Sequence, residues 1–583
     1  MNTEMEKEKL SRLIQMASGK IPADLVIKNC KVVDVYTSSI IEGDIAICED
    51  KIAGIGSYEG TQEIDAEGAY AAPGFIDSHI HIESSYVTPE EIGRLLVPCG
   101  TTTIIADPHE IANVCGLEGM DYMLQAAKGT ALDIKYMFPS CVPSTPFENA
   151  GAILNAEDMV ETLKNENILG LGEFMNYPGV LNLSPDVLDK LMIAKRSGKL
   201  IDGHSPMVAG KELSGYVAAG IHTDHECSCL EGMKERLSRG VYVLLRQGSA
   251  CHDLENLIPG ITQENSRRCL LCSDDRQPNT ILEEGNIDND LRILVQNGIS
   301  PFAAIQMASL NAAECFRLYD RGAIAPGLRA DIVLLKDLET FEVTDVYAAG
   351  RKVAESGEYL LQVHPYQCAS VKGSMNVKNF SKERLKLHLN SDKVYTIDIL
   401  PGGVVTGKGT AIVCRDGDGN FVFDPKEDVV KIAVVERHHG TGNVAVALLH
   451  GYGIKEGAAA VSVAHDSHNI IVVGVNDEDM ELAVNTLAKQ GGGMVLVKDG
   501  NVIGNMPLPI AGLMSDQSME QVSRNIEVIH RTAYEQLQIN ADVEPIMTLC
   551  FMSLPVIPEL KLTDEGLFDV TKFSFTDIEY KEI

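Results

Sequence analysis

Between Pro73 and Tyr319 the chain alternates short apolar runs with segments whose apolar residues recur at helical spacing. The runs are AAPGFIDSHIHI, GTTTIIADPH, IKYMFPSCVPS, NILGLGEFMN, KLIDGHSP, GIHTDHE, VYVLLRQGSA and RCLLCSDDRQP. Short continuous apolar stretches suit strands buried on both faces, and TPEEIGRLL, AEDMVETLKN and SPDVLDKLMIAKRSG between them suit amphipathic helices. Thr88 and Ser184 stand where they could cap helices opening at Pro89 and Pro185. Eight such units in about 250 residues is what a (β/α)8 barrel requires, and this count favours it over an open doubly wound sheet.

Two flanking stretches read differently. ADLVIKNCKVVDVYTSSIIEGDIAICEDKIAGIG and GLRADIVLLKDLETFEVTDVYAAGRKVAESGEYL alternate Val and Ile with polar residues, the pattern of a half-exposed sheet. Ala23-Asp24-Leu25-Val26 echoes Ala330-Asp331-Ile332-Val333, so one composite sheet with the barrel inserted is expected, and two unrelated edge sheets are the alternative. After about residue 370, strand-like KVYTIDIL, VVKIAVVE, NIIVVGV and GMVLVKDG mix with the helical DEDMELAVNTLAKQGG. The expected fold is therefore α/β: an N-terminal helix and first sheet part (1–72), a TIM-like barrel (73–321), the second sheet part (322–370) and a C-terminal α+β domain (371–583).

Composition narrows the partners. Apolar residues are 45% of the chain and charged residues 23%, enough to bury large cores. Lys plus Arg total 49 against 83 Asp plus Glu, a net charge of −34 that repels phosphate backbones and anionic membranes. No nucleic-acid or membrane partner is expected. The same charge suits a small neutral or cationic substrate or metal ions, and it also keeps a large assembly soluble. No apolar run approaches the ~20 residues that span a bilayer, and the N-terminus carries acids rather than a signal peptide's pattern. The 14 cysteines, apart from Cys227/Cys229 and Cys269/Cys272, are scattered singly and read as reduced thiols of a cytoplasmic protein.

The histidines carry the chemistry. His79 and His81 sit two apart on one run, so both imidazoles face the same way and can hold a divalent cation. Glu173 ends the fourth run, His204 the fifth, His225 the sixth and Asp274 the eighth. Strand ends line the active-site face of such a barrel, so these side chains converge on a two-metal site with Glu173 as a shared ligand. A hydroxide between two ions implies hydrolysis at an electrophilic carbon, with Asp274 taking and relaying the proton. Amides, ureides, lactones and amidine-like ring carbons all remain open.

These residues resemble the amidohydrolase superfamily, and the whole chain resembles the bacterial adenine deaminases. The match is carried by HIHIESS (from His79), ADPHEIANV (from Ala106), GLGEFMN (from Gly170), DGHSP (from Asp202), TDHE (from Thr223) and CSDDRQP (from Cys272). Beyond the barrel it continues through AHDSHNIIVVGVNDEDM (from Ala464), GGGMVLVKDG (from Gly491) and PLPIAGLMSD (from Pro507), which are the more diagnostic segments. The resemblance implies hydrolysis of adenine to hypoxanthine and ammonia in purine salvage, with two divalent ions, Mn²⁺ or Fe²⁺ ahead of Zn²⁺. It assigns His79, His81, Glu173, His204, His225 and Asp274 as metal ligands, Asp274 and Glu173 also as catalytic groups, and His109 with Glu110 beside substrate or leaving ammonia. Glu83, Asp275, Arg276, His465 and His468 are the candidate substrate contacts, and Asp275 competes with Asp274 for the catalytic place. Gln247 and Gln277 stand where that pattern has Glu and His. By analogy of architecture a homo-oligomer, in the simplest case a dimer, is expected.

Other signals compete. His81-x-Glu83 followed by Pro98-Cys99 is similar to a zinc deaminase signature, but Thr102 occupies the place of its second cysteine. His465-Asp466-Ser467-His468 either reaches the barrel mouth or is structural or at a subunit contact, and His438-His439 is a weaker case of the same kind. The functional alternatives are another binuclear amidohydrolase acting on a different base or cyclic amide, and a metal-binding pseudo-enzyme.

Overall fold

The computed structural model describes residues 3–401 and 404–580. Eight strands form the central barrel: Phe75–Ile80, Thr101–Ala106, Asp133–Phe138, Ile168–Phe174, Leu200–Gly203, Thr223–Asp224, Tyr242–Arg246 and Cys269–Cys272. The first five pair in parallel as one arc and the last three as another. The His222 N–H donates to the Ile201 carbonyl at 2.9 Å, joining the arcs on one side. On the other, the Asp274 N–H donates to the His79 carbonyl at 2.9 Å and the His81 N–H to the Asp274 carbonyl at 3.2 Å. The barrel is thereby closed.

Helices cover the strands outside and Ile76, Ile105, Met137, Leu200, Leu244 and Leu270 pack in one cluster. Burial on both faces explains the near-continuous apolar runs of the sequence. The helices Pro89–Leu96 and Pro185–Arg196 open on proline as expected, but neither the Thr88 nor the Ser184 hydroxyl caps them. Acidic residues in their first turns, Glu90, Glu91 and Asp186, meet the positive ends of the helix dipoles instead.

The composite sheet explains how the barrel is held. Tyr70–Pro73 pairs in parallel with Ala23–Asp34 on one side and antiparallel with Ile332–Leu335 on the other. The chain leaves this sheet at Pro73, builds the barrel, and returns to lie beside its own point of departure, with Ile332 opposite Pro73. Strands from both flanking stretches share one nine-stranded sheet.

The C-terminal region builds an eight-stranded sheet with Thr406–Ile412 at one edge and Asn501–Pro507 at the other, and the helix Asp477–Lys489 packed on it. It is docked on the barrel by polar contacts. Asn149 donates from its backbone N–H and Nδ2 to the Asp564 carboxylate at 2.9 and 2.7 Å, and its carbonyl accepts from Asn469 Nδ2 at 2.8 Å. His439 Nε2 donates to the Ala150 carbonyl at 2.8 Å. Among the described residues, no helix is long and apolar enough to cross a membrane, and all 14 cysteines are free thiols.

Candidate active site

The carboxyl ends of the barrel strands place a dense group of imidazoles and carboxylates at the bottom of a cavity of about 420 Å³. His79 closes the first strand and is fully buried. Its Nδ1 lies 3.1 Å from Asp202 Oδ2, which fixes the tautomer and turns Nε2 toward His81 Nε2, 3.2 Å away. His81 Nδ1 donates to the Asp107 carbonyl at 3.1 Å, so its Nε2 also faces inward. Orientation of a ligating imidazole through its other nitrogen is the usual support for a metal site.

Glu173 stands at the centre. Its Oε1 lies 3.4 Å from both His81 Nε2 and His109 Nδ1, and its Oε2 lies 2.7 Å from His204 Nδ1 and 3.4 Å from His225 Nε2. One carboxylate thus faces the first imidazole group with one oxygen and the second with the other. Its backbone N–H donates to the Asp107 carboxylate at 2.9 Å, which fixes the strand end. The His79 and His225 rings stack at 4.1 Å and bring the two groups together.

Asp274 has a left-handed backbone (φ 57°), which turns it inward from the end of the eighth strand. Its Oδ1 lies 3.1 Å from His81 Nε2 and 3.7 Å from His79 Nε2, while Oδ2 accepts from Arg246 at 2.9 Å. Arg246 also pairs with Glu226 and Asp253. Asp275 points elsewhere and accepts from the Ser84 hydroxyl. The geometry therefore separates the two adjacent aspartates that sequence leaves in competition.

The electrostatics are those of a cation trap. Burial alone would drive Glu173 and Asp274 up, but His204 and His225 around the first, and His81 and Arg246 around the second, hold both carboxyls well below their usual range. Conversely, burial would lower His225, but its bond to Glu173 and the nearby Asp274 push it up to about 10. His81 and His204 are raised by carboxylate partners in the same way. His79, Glu173 and His225, and His79, His81 and Asp274, each bring three ligand atoms close enough together to hold a metal ion.

Of the candidate substrate contacts, His465 and Asp275 line the cavity, together with His109 and Glu110. His465 arrives from the C-terminal region, so the cluster around it does reach the barrel mouth. Its Nδ1 lies 2.9 Å from Glu110 Oε1. Arg276, Glu83 and His468 do not line it. Arg276 donates to the Gln247 and Gly285 carbonyls and pairs with Glu284, so its guanidinium is consumed outside the cavity. Glu83 lies behind Glu110, its Oε1 accepting from the Ile111 N–H at 3.2 Å, and burial with that neighbouring charge pushes it up to about 8. His468 Nδ1 accepts from the Ala464 N–H at 3.1 Å and shapes its own loop. Gln247 and Gln277 do not line the cavity either.

Sequence reasoning missed Asp107, Asp202, Glu226, Arg246 and Asp466. Asp107, Asp202 and Glu226 sit at barrel strand ends within two residues of a chosen histidine, so reading those ends for carboxylate–imidazole pairs would have found them. Arg246 also ends a strand, but a cation is not sought among metal ligands. Asp466, 3.6 Å from His109 Nε2, is visible only through the fold.

A family profile described as "Amidohydrolase family" matches residues 70–353, and one described as "Adenine deaminase C-terminal domain" matches residues 404–574. A protein of Desulfotalea psychrophila named adenine deaminase 2 is 61% identical over 99% of this chain and 100% of its own length. An adenine deaminase of Ligilactobacillus salivarius is 54% identical over 99% and 100%. Among solved structures, a β-aspartyl dipeptidase of Fervidobacterium islandicum AW-1 is similar at 18% identity and a TM-score of 0.45, over 58% of this chain and 98% of that one.

Proposed function

The chain belongs to the amidohydrolase family and, within it, to the adenine deaminases, and on that premise we propose how its own residues hydrolyse adenine to hypoxanthine and ammonia. The observation that carries the reading is Glu173, whose two oxygens address two separate imidazole groups. The donor set fits divalent metals. It is made of imidazole nitrogens and carboxylate oxygens, and Glu173 Oε1 is buried without a hydrogen-bond partner. His79, His81, Glu173 and Asp274 would hold one ion, and Glu173, His204 and His225 the other. Two such ions, Mn²⁺ or Fe²⁺ ahead of Zn²⁺, would supply an acidified water and a Lewis acid.

The remaining work falls to the protein. Adenine C6 is an amidine-like carbon, and its amino group must be protonated before it departs as ammonia. Asp274 is placed to move that proton: Arg246 pins Oδ2, while Oδ1 faces the His79 and His81 imidazoles on the floor, where it would accept a proton from the attacking water and return it to N6. Asp275, pushed up by burial and by Asp274, lines the cavity beside Asp274, where it would contact a ring nitrogen. Glu110, held ionised by His465, is suited to accept from a ring N–H. His109 lies between Glu173 and Asp466, beside the position of the leaving amine.

The test is ammonia release by the Mn²⁺-loaded protein from adenine, guanine, cytosine and a cyclic amide. The reading expects release from adenine far above the others, with hypoxanthine formed in equal amount. Metal-loaded protein that releases nothing from adenine would overturn it.

A further inference from the structure

The cavity is polar at its floor and apolar across from it. Its apolar side is supplied by the C-terminal region: Val404, Val405, Phe551, Leu554, Ile557 and Pro558. Phe551, Leu554 and Ile557 are 6%, 3% and 8% exposed, so these three are packed, while Val405 is 47% exposed. Two ties fix it. Lys561, fully buried, donates from Nζ to the Val404 carbonyl at 2.8 Å and the Phe551 carbonyl at 2.9 Å, joining two segments that lie far apart in the chain. The His465 ring stacks on Phe551 at 4.6 Å, the His465 backbone N–H donates to the Cys550 carbonyl at 2.9 Å, and the ring Nδ1 reaches Glu110 on the barrel. The wall is thus held in register with the floor.

We propose that this wall selects the free base, with Leu554 and Ile557 closing the space that a substituent on purine N9 would need. The inference rests on the deaminase reading above. Hydrolysis requires C6 at the floor, beside Glu173 and Asp274. In a purine, N9 lies on the side of the bicycle away from C6, so it points across the cavity. In this proposal Leu554 and Ile557, whose side chains offer no donor or acceptor, meet that edge, and a ribose there would lose its water without gaining hydrogen bonds from them. A packed wall also resists added volume. The C-terminal region therefore acts in substrate choice, while the barrel performs the chemistry.

The test is a ladder of adenine, 9-methyladenine and 9-ethyladenine, assayed by ammonia release with wild-type protein, Leu554→Gly, Ile557→Gly and, on another part of the rim, Met207→Gly. The ratio of kcat/KM for each 9-alkyl compound to that for adenine is insensitive to the fraction of active protein. The wild-type ratio for 9-ethyladenine is expected about 100-fold or more below unity, rising about tenfold in either wall variant but not in Met207→Gly. Wild-type turnover of 9-ethyladenine within a few-fold of adenine would overturn the proposal, as would unchanged ratios in both wall variants. If both wall variants lose adenine turnover, equal inhibition of the wild type by hypoxanthine and 9-ethylhypoxanthine would overturn it, and much weaker inhibition by the ethyl compound would support it. Failure of the wild type on adenine itself would count against the deaminase reading instead.

Discussion

The floor and the wall of one cavity are built on opposite principles. The floor gathers the six side chains proposed as metal ligands from the ends of five different strands, all buried, with charges balanced against one another. The wall is apolar side chains on irregular backbone, held by donors to carbonyl groups. A buried ionic cluster is strongly damaged by loss of any one member, because the others are left uncompensated. An apolar wall gives way gradually with volume. Chemistry and selectivity should therefore respond to mutation on very different scales.

The largest effect is expected at the point where both halves of the floor meet. Glu173→Gln keeps the shape but removes the charge facing two imidazole groups, and kcat/KM for adenine should fall about a thousandfold or more, with metal content reduced. Retention of most activity with full metal content would put the floor's centre elsewhere. Asp202→Asn should do less. It removes only the carboxylate behind His79 Nδ1, so metal affinity should weaken by about 10–100-fold, and excess Mn²⁺ should restore the rate. A rate that excess metal does not restore would argue against an orienting role.

The wall should shift binding more than chemistry. Lys561→Met strips donors from two buried carbonyls, so KM for adenine is expected to rise several-fold with kcat changing less, and stability to drop by about 1–3 kcal/mol. A kcat loss as deep as that of Glu173→Gln would erase the distinction drawn between the two regions.

The contact that joins wall to floor should show in pH. Burial lowers the His465 imidazole, but the Glu110 carboxylate overrides this and raises it to about 9, with Asp275 and Asp466 helping. A raised histidine contributes stability that is full below its unfolded value of about 6.5 and is lost as pH climbs through about 9. Between those limits the wild type should lose stability relative to His465→Asn, by an amount of order 1–3 kcal/mol. Parallel stability curves for the two proteins would show that the pair does not titrate in that window.

The same contrast explains what could be read from the chain alone. The barrel was legible because strands buried on both faces must be apolar, and polar residues at their ends then stand out, as His79, His81, Glu173 and Asp274 do. The composite sheet was legible from the repeat of Ala23–Val26 at Ala330–Val333. The wall was not. Leu554 and Ile557 follow no period and carry no chemistry, and only folding brings them opposite Glu173. The direction of Arg276 was hidden too: its place beside Asp275 says nothing of where a long side chain turns, and here it donates to the Gln247 carbonyl. His465 reached the cavity through a docking that no local pattern encodes.

The proposal that the floor is one two-ion site at which adenine is hydrolysed underlies the expectations for activity above. Its most direct test strips the protein of metal and titrates it with Mn²⁺ while following hypoxanthine formation from adenine. The account predicts that activity rises until two equivalents per chain are bound and then stays level. A rate that saturates at one equivalent, or protein with two ions bound that forms no hypoxanthine, would contradict it.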